Sequence, residues 1–255
     1  MKAIARFIAP EKALRLGLLA AVSVLAACAP LQPKPAPLTV GRGQLLLPPG
    51  EWVDLGASDQ TLILLPEVGD TMQLQTRSLG LRGSDGAWLA VLKVQTNSSN
   101  EPRTETRWTD TCPKQQGVLV EDATAAETAK TRLTSHVRID CLRFKRFANH
   151  EGWMEGNQPV LEMWLKHQNA APSQPYSHLH YRYATQGGAY VDIQAVIDQR
   201  LLRPVTRNNH DFLAAGRPGQ DWIHALAQAG RQSTAMLDGT LAIPPFPIFP
   251  IAPTP

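Results

Sequence analysis

The chain has 255 residues, room for one large domain or two small ones, and its 43% hydrophobic and 18% charged content is that of a globular protein rather than a disordered or fibrous one. Its formal charge of +3 originates at the start, where Lys2, Arg6, Lys12 and Arg15 outnumber Glu11. From residue 28 onward 21 basic residues face 21 acidic ones, so net charge gives no support to a nucleic-acid or polyanion partner, and none is expected.

Residues 1–15 are basic and residues 16–27 (LGLLAAVSVLAA) form an uncharged apolar run. That is the layout of a secretory signal, and the run falls short of the roughly 20 residues that a spanning helix needs. The junction Leu25-Ala26-Ala27-Cys28 resembles the lipobox of bacterial lipoproteins. The resemblance implies diacylglycerol on Cys28, cleavage before it, and acylation of the new amino terminus. In that family an aspartate after the cysteine favours the inner membrane. Ala29 and Pro30 stand here instead, so the resemblance implies the outer membrane, with the protein facing the periplasm. The membrane is then one expected partner, through the lipid, and an envelope protein is another. Residues 29–37 (APLQPKPAP) hold four prolines, the composition of an extended, semi-rigid spacer. The expected organisation is a signal peptide over 1–27, an acylated cysteine and tether over 28–40, one globular domain over 41–242, and an apolar proline-rich tail over 243–255.

Within the body, residues 44–56 break at Pro48-Pro49-Gly50, and residues 61–65 (TLILL) read as a buried strand. Residues 70–82 place Met72 and Leu74 on one parity and Leu79 and Leu81 on the other, which predicts a bulge or break. The turn at residues 83–86 then leads into an alternating run over 87–96, so the two segments predict a hairpin. Residues 118–132 have a helix-prone Ala/Glu/Lys-rich middle. Over 136–147, Val137, Ile139 and Cys141 alternate with polar residues before the apolar set switches to Leu142 and Phe144. A half-buried strand with a bulge near Cys141 and Leu142 is expected.

Asn157 followed by Pro159 predicts a helix start, with Val160, Leu161, Trp164 and Leu165 as its apolar stripe. Residues 177–198 predict a hairpin. A three-residue loop, Gln186-Gly187-Gly188, pairs Tyr183 with Val191, Tyr181 with Ile193 and Arg182 with Asp192, and keeps each face uniform. Residues 211–215 read as a short helical turn. Residues 219–236 form an amphipathic helix with Trp222, Leu226, Ala229, Ser233 and Met236 on one side. Together these elements predict an α+β fold, mainly antiparallel sheet with helices packed on one face. On topology alone the layout is similar to the PsbP-like sandwich.

Cys112 and Cys141 remain once Cys28 is assigned to lipid, and an even pair in an oxidising compartment predicts a disulfide. His178 and His180, two apart on a strand, point the same way and are the candidate metal ligands, with Asp192 or Gln194 across the hairpin. Two histidines alone leave a zinc site short of ligands, and ordinary polar-face residues are the alternative. His150-Glu151 lacks the second histidine of a zincin motif, and no serine sits in a nucleophile elbow. Asn208-Asn209 before His210-Asp211 reads as helix capping. Arg143, Lys145 and Arg146 form a basic cluster that is either a solubilising edge or a site for an anionic lipid or glycan. In the tail, Phe246, Ile248, Phe249 and Ile251 are the candidate partner-binding residues, set against packing of the same segment on its own domain. No cofactor and no catalytic residue is expected. The functional expectation is a membrane-anchored, non-catalytic binding or assembly-accessory module. A carrier of a hydrophobic ligand, or a metal-binding protein or hydrolase, is the alternative.

Overall fold

Alternating apolar and polar residues dominate the long segments, and strands dominate the fold. A computed structural model of the chain describes residues 38–65, 70–98, 106, 108, 111–124, 136–149, 152–203, 217–235 and 239–249. Two short strands, β1 (Leu38–Val40) and β2 (Gly43–Leu46), precede three long ones, β3 (Glu51–Leu65), β4 (Asp70–Arg82) and β5 (Trp88–Asn97). Next come β6 (Leu119–Asp122), β7 (Val137–Lys145) and the helices α1 (Trp153–Asn157) and α2 (Pro159–His167). The hairpin β8 (Tyr176–Thr185) and β9 (Tyr190–Asp198) leads into the single helical turn α3 (Gln199–Leu202). The long helix α4 (Arg217–Ala235) and β10 (Thr240–Ala242) follow.

Seven strands form one sheet in the order β3-β4-β5-β9-β8-β7-β6, antiparallel at every pairing. The order β1-β2-β10 makes a small second sheet, with β10 parallel to β2. The fold is α+β and mainly antiparallel. Pairing of β8 with β9 has the register that the three-residue loop requires: Tyr183 faces Val191, Tyr181 faces Ile193 and Arg182 faces Asp192. The β4–β5 hairpin also forms.

Both faces of the large sheet are covered, and this explains the parity switches. Leu79, Leu81, Leu92, Ile193, Leu179, Tyr181 and Leu142 lie on one face in the main core, beneath Trp222, Ile223, Leu226 and Ala227 of α4. Gly230 lets this helix approach: a Cβ there would stand 2.7 Å from the Tyr181 ring. Buried Asp140 pins the helix electrostatically. It accepts from Arg231 Nε at 2.8 Å and from the Tyr181 hydroxyl at 3.1 Å. The other face carries two separate apolar patches. Val91 and Val196 pack under Met154, Leu161 and Leu165 of α1 and α2, beside Trp88. Met72, Leu74, Ile139, Cys141 and Tyr190 form the second patch, against Trp108 and Cys112.

The expected single helical face therefore holds α4, while α1 and α2 add a smaller layer on the opposite side. Between Leu74 and Leu79 the strand does not break, and the bulge lies in its neighbour β3, between Asp54 and Gly56 opposite Leu79 and Ser78: Met72 and Leu74 serve one core, Leu79 and Leu81 the other, on one continuous strand. The bulge expected near Cys141 lies instead between Val137 and Ile139, because Cys141 and Leu142 are both buried, on opposite faces. Residues 61–65 belong to an edge strand rather than a buried one, with Ile63 60% exposed. Residues 119–122 are strand; the helix-prone middle around residue 128 falls outside the described residues, as do residues 211–215 and Met236.

Helix α2 starts at Pro159 as expected, but Gln158 rather than Asn157 is its N-cap, and Val160 is 72% exposed while Leu161 and Leu165 are buried. The domain boundary drawn after residue 40 cuts through the first hairpin, since β1 pairs with β2 and Val40 is in the main core. At the other end, Ile243 N–H donates to Leu46 O at 2.9 Å. Phe246 is buried, its ring stacked 4.9 Å from Trp222 and 6.5 Å from Trp52. Phe246→Leu is expected to cost about 1–2 kcal/mol through lost stacking and volume, read as a lower urea midpoint with an unchanged slope. A shift under about 0.5 kcal/mol would mean that the segment contributes no packing.

Candidate functional site

Between its two apolar patches the second sheet face carries a polar belt. The register sets Ser78, Lys93, Gln194, His180 and Arg143 in one row and Thr76, Gln95, Asp192 and Arg182 in the next. His180 Nε2 lies 2.8 Å from Asp192 Oδ2, and the Tyr190 hydroxyl donates to the same oxygen at 3.4 Å. Burial raises the Asp192 carboxyl, but the neighbouring His180 and Arg182 outweigh it and hold the group below its usual range. The Lys93 ammonium sits 4.9 Å from the Trp164 ring centroid and is lowered by burial, against the pull of Asp192.

His178 points to the same face as His180, as the strand alternation requires, with ring centroids 6.4 Å apart. Its environment differs. It is fully buried, its ring tilts against Trp153 at 5.6 Å, and its Nε2 has no hydrogen-bond partner among the described residues. Burial, then His180 and Arg143, lower it to about 3. A void of only about 10 Å³ lies beside it, lined by Arg143, Lys145, Trp153, Gln158 and both histidines. That volume holds one water-sized group at most. Among the described residues no three His, Cys, Asp or Glu side chains stand together as metal ligands. The two histidines thus share a face and one acidic neighbour, with cations beside them.

The basic cluster of the sequence divides. Arg143 donates to Gln115 Oε1, and Lys145 stands over Trp153 at 5.8 Å, both on the belt side. Arg146, past the strand end, lines a different space. This is a cavity of about 310 Å³ where the β6–β7 edge, α3 and the first turn of α4 meet. Leu119, Phe144 and Leu202 supply its apolar lining, and Arg146, Ser177, Gln199, Arg203 and Gln220 its polar lining. Its volume is at the lower end of the range for small-molecule sites. Nothing in the sequence singles out Gln199, Leu202 or Arg203; the topology alone brings them to Arg146.

Cys112 and Cys141 are joined, with Cα atoms 5.6 Å apart, and fasten residues 111–112 to β7. Nearby, Trp108 stacks on Tyr190 at 5.3 Å and donates from Nε1 to Thr185 O at 2.9 Å. In the tail, Phe246 is taken up by the protein's own core, and Phe249 is partly buried against it. Ile248 N–H donates to Leu201 O at 3.1 Å. Packing on the parent domain, the alternative weighed from the sequence, therefore describes residues 243–249. Cys28, His150, Glu151, His210, Asp211 and Ile251 lie outside the described residues. No family model matches the chain, and no curated protein and no solved structure matches it. The topological likeness to the PsbP-like sandwich accordingly carries no argument.

Proposed function

We propose that the chain is an outer-membrane lipoprotein, anchored through Cys28 and facing the periplasm, whose body is a non-catalytic binding module. The observation that carries this reading is the division of the three cysteines. Cys112 and Cys141 are joined to each other, which suits an oxidising compartment. Cys28, at the end of Leu25-Ala26-Ala27-Cys28, is left for lipid. No helix among the described residues is long and apolar enough to cross a membrane, so a lipid anchor would supply what the described helices do not.

Binding rather than catalysis is supported by the character of the polar groups. The His180–Asp192 pair is anchored within the sheet, and its rows hold no serine or cysteine thiol at hydrogen-bond reach of His180. The 310 Å³ cavity, by contrast, is walled by both apolar and cationic side chains. A carrier of a bulky hydrophobic ligand is less well supported, because side chains fill the space between α4 and the sheet. Leu226, Ile223 and Tyr181 are all fully buried there.

Expression in a bacterial host with labelled palmitate tests the anchor. Label is expected on the wild-type chain and not on Cys28→Ser. Globomycin, which blocks the lipoprotein signal peptidase, is expected to leave uncut precursor. Unlabelled protein that is processed despite the drug and recovered in aqueous extract would overturn the reading.

A further inference from the structure

We propose that the small void between β7, β8 and α1 holds one monatomic anion, a halide ion, on Arg143 Nε, Trp153 Nε1 and His178 Nε2. The inference goes beyond the binding-module reading and is independent of the lipid anchor.

The strand register builds the floor of the site. Arg143 lies opposite His180 and Lys145 opposite His178, so strand alternation turns all four side chains to one face. Trp153, the first residue of α1, lies over them. Its ring centroid is 5.6 Å from that of His178 and 5.8 Å from Lys145 Nζ. These residues line a single void of about 10 Å³.

The polar atoms single this void out. Arg143 Nε, Trp153 Nε1 and His178 Nε2 are buried, and none has a hydrogen-bond partner among the described residues. A buried polar atom left unpaired costs the fold its lost hydration, and one group held in the void would satisfy all three. Two of them are obligate donors, because an indole and a guanidinium carry N–H and no acceptor; His178 takes either role according to its tautomer. The group must therefore accept hydrogen bonds, as both a water molecule and an anion can.

Charge decides between them. Arg143 and Lys145 both stand on the wall, and their contacts among the described residues are neutral. Gln115 Oε1 accepts from Arg143 Nη2, and Lys145 stands over the Trp153 ring. No carboxylate is among the described residues that line the void. Asp192, the acid that acts on His178, is already engaged by His180 and Tyr190. A single negative charge offsets the charge of the wall, and water does not. Size then sets the class of anion. The void takes one water-sized sphere, which a halide approaches and a sulfate or phosphate far exceeds.

Crystals of the mature protein grown with sodium bromide test the site directly. One anomalous peak is expected in contact with Arg143 Nε, Trp153 Nε1 and His178 Nε2. In solution at pH 7.5, replacing about 200 mM sodium gluconate by chloride or bromide is expected to raise the thermal midpoint by about 3–6 °C, the shift for a Kd near 20 mM. Trp153→Phe removes the indole N–H and keeps a ring over His178. That change and Arg143→Gln are each expected to weaken halide binding about tenfold, which reduces the rise to about 1 °C. Lys145→Met is a second route: it keeps all three bonding atoms, removes one charge, and is expected to weaken binding about threefold or more. Circular dichroism establishes that each variant folds. Sulfate stabilises wild type and variants alike by exclusion from the surface, so the variant-dependent part of the shift is the reading, expected for halides and absent for sulfate. Bound halide opposes the effect of burial on His178, so the response of that histidine to acid is read in halide-free buffer. Density without anomalous signal, a buried water only, would overturn the anion. A variant-dependent shift with sulfate would overturn the ligand class, and halide effects indifferent to all three variants, an adventitious ion only, would overturn the site. A failed anchor experiment would leave these outcomes unaffected.

Discussion

Reduction of the Cys112–Cys141 bridge is expected to lower the stability of the folded body by about 3–4 kcal/mol. The two residues are 29 apart in sequence, and closing a loop of that length removes most of this amount from the entropy of the unfolded chain. The folded state contributes as well. Cys141 sits in the second apolar patch with Met72, Leu74, Ile139 and Tyr190, and the segment that carries Cys112 lies beside the patch through Trp108. Freed of the bridge, that segment keeps only the Trp108 indole bond to Thr185 and the Arg182 bond to Thr111 O at 2.8 Å as its described side-chain ties to β8. Urea unfolding of the oxidised and reduced protein, and of a Cys112→Ala/Cys141→Ala double variant, measures the effect. The reduced protein and the double variant are expected to agree, with a lower midpoint and a steeper slope from a more expanded unfolded chain. Equal free energies in oxidised and reduced protein would show that the bridge is not formed in solution or constrains nothing.

Much of the sheet was legible because its information is local. The β8–β9 register follows from which of two loop lengths keeps Tyr181, Tyr183, Val191 and Ile193 on one side, and the same alternation put His178 and His180 on one face. Parity switches are not legible in the same way. A strand covered on one face changes parity only at a bulge. A strand covered at opposite ends by different cores changes its apolar parity with no bulge of its own, as β4 does between Leu74 and Leu79, where the extra residue belongs to β3. Only the three-dimensional cover provided by α1, α2 and the Trp108 segment distinguishes the cases, and none of it is a neighbour in sequence. The tail was half legible. Its apolar prolines required some surface, but the slot between Trp52 and Trp222 joins residues 170 positions apart. The cavity was least legible, since Leu119, Phe144, Arg146, Gln199, Leu202 and Arg203 come from three strand and helix segments, each ordinary by itself. A signal existed at one end only, the Arg143, Lys145 and Arg146 run, and strand alternation sends its members to different places.

Acidification is expected to destabilise the protein through His178, by about 2–3 kcal/mol between pH 6.5 and pH 4.5. The ring is fully buried and titrates near 3 in the fold against 6.5 as an exposed histidine. Above pH 6.5 both folded and unfolded chains hold it neutral, and its burial is harmless. Below that the unfolded chain takes up a proton that the folded chain refuses until about pH 3, so stability falls with pH by up to about 1.4 kcal/mol per unit across the window. The surroundings give the direction from every side. Lys145 faces His178 from β7, Arg143 and His180 lie in the adjoining row, Trp153 of α1 covers the ring, and Asp192 is the one acid among the described residues that opposes the shift. Asp192 is itself held low by His180 and Arg182, so its own loss of stabilisation comes at lower pH, below the ordinary carboxylate value. The interval above pH 4.5 therefore isolates the histidine. His178→Leu keeps an apolar side chain under Trp153 and deletes the proton site. Its unfolding free energy, measured in urea at several pH values, is expected to vary less than the wild type's by the amount stated. Equal slopes in the two proteins would mean that position 178 already carries its proton, or reaches solvent, at neutral pH. The tilted stack on Trp153 would then be wrong, together with the exclusion of bulk water from this half of the polar belt.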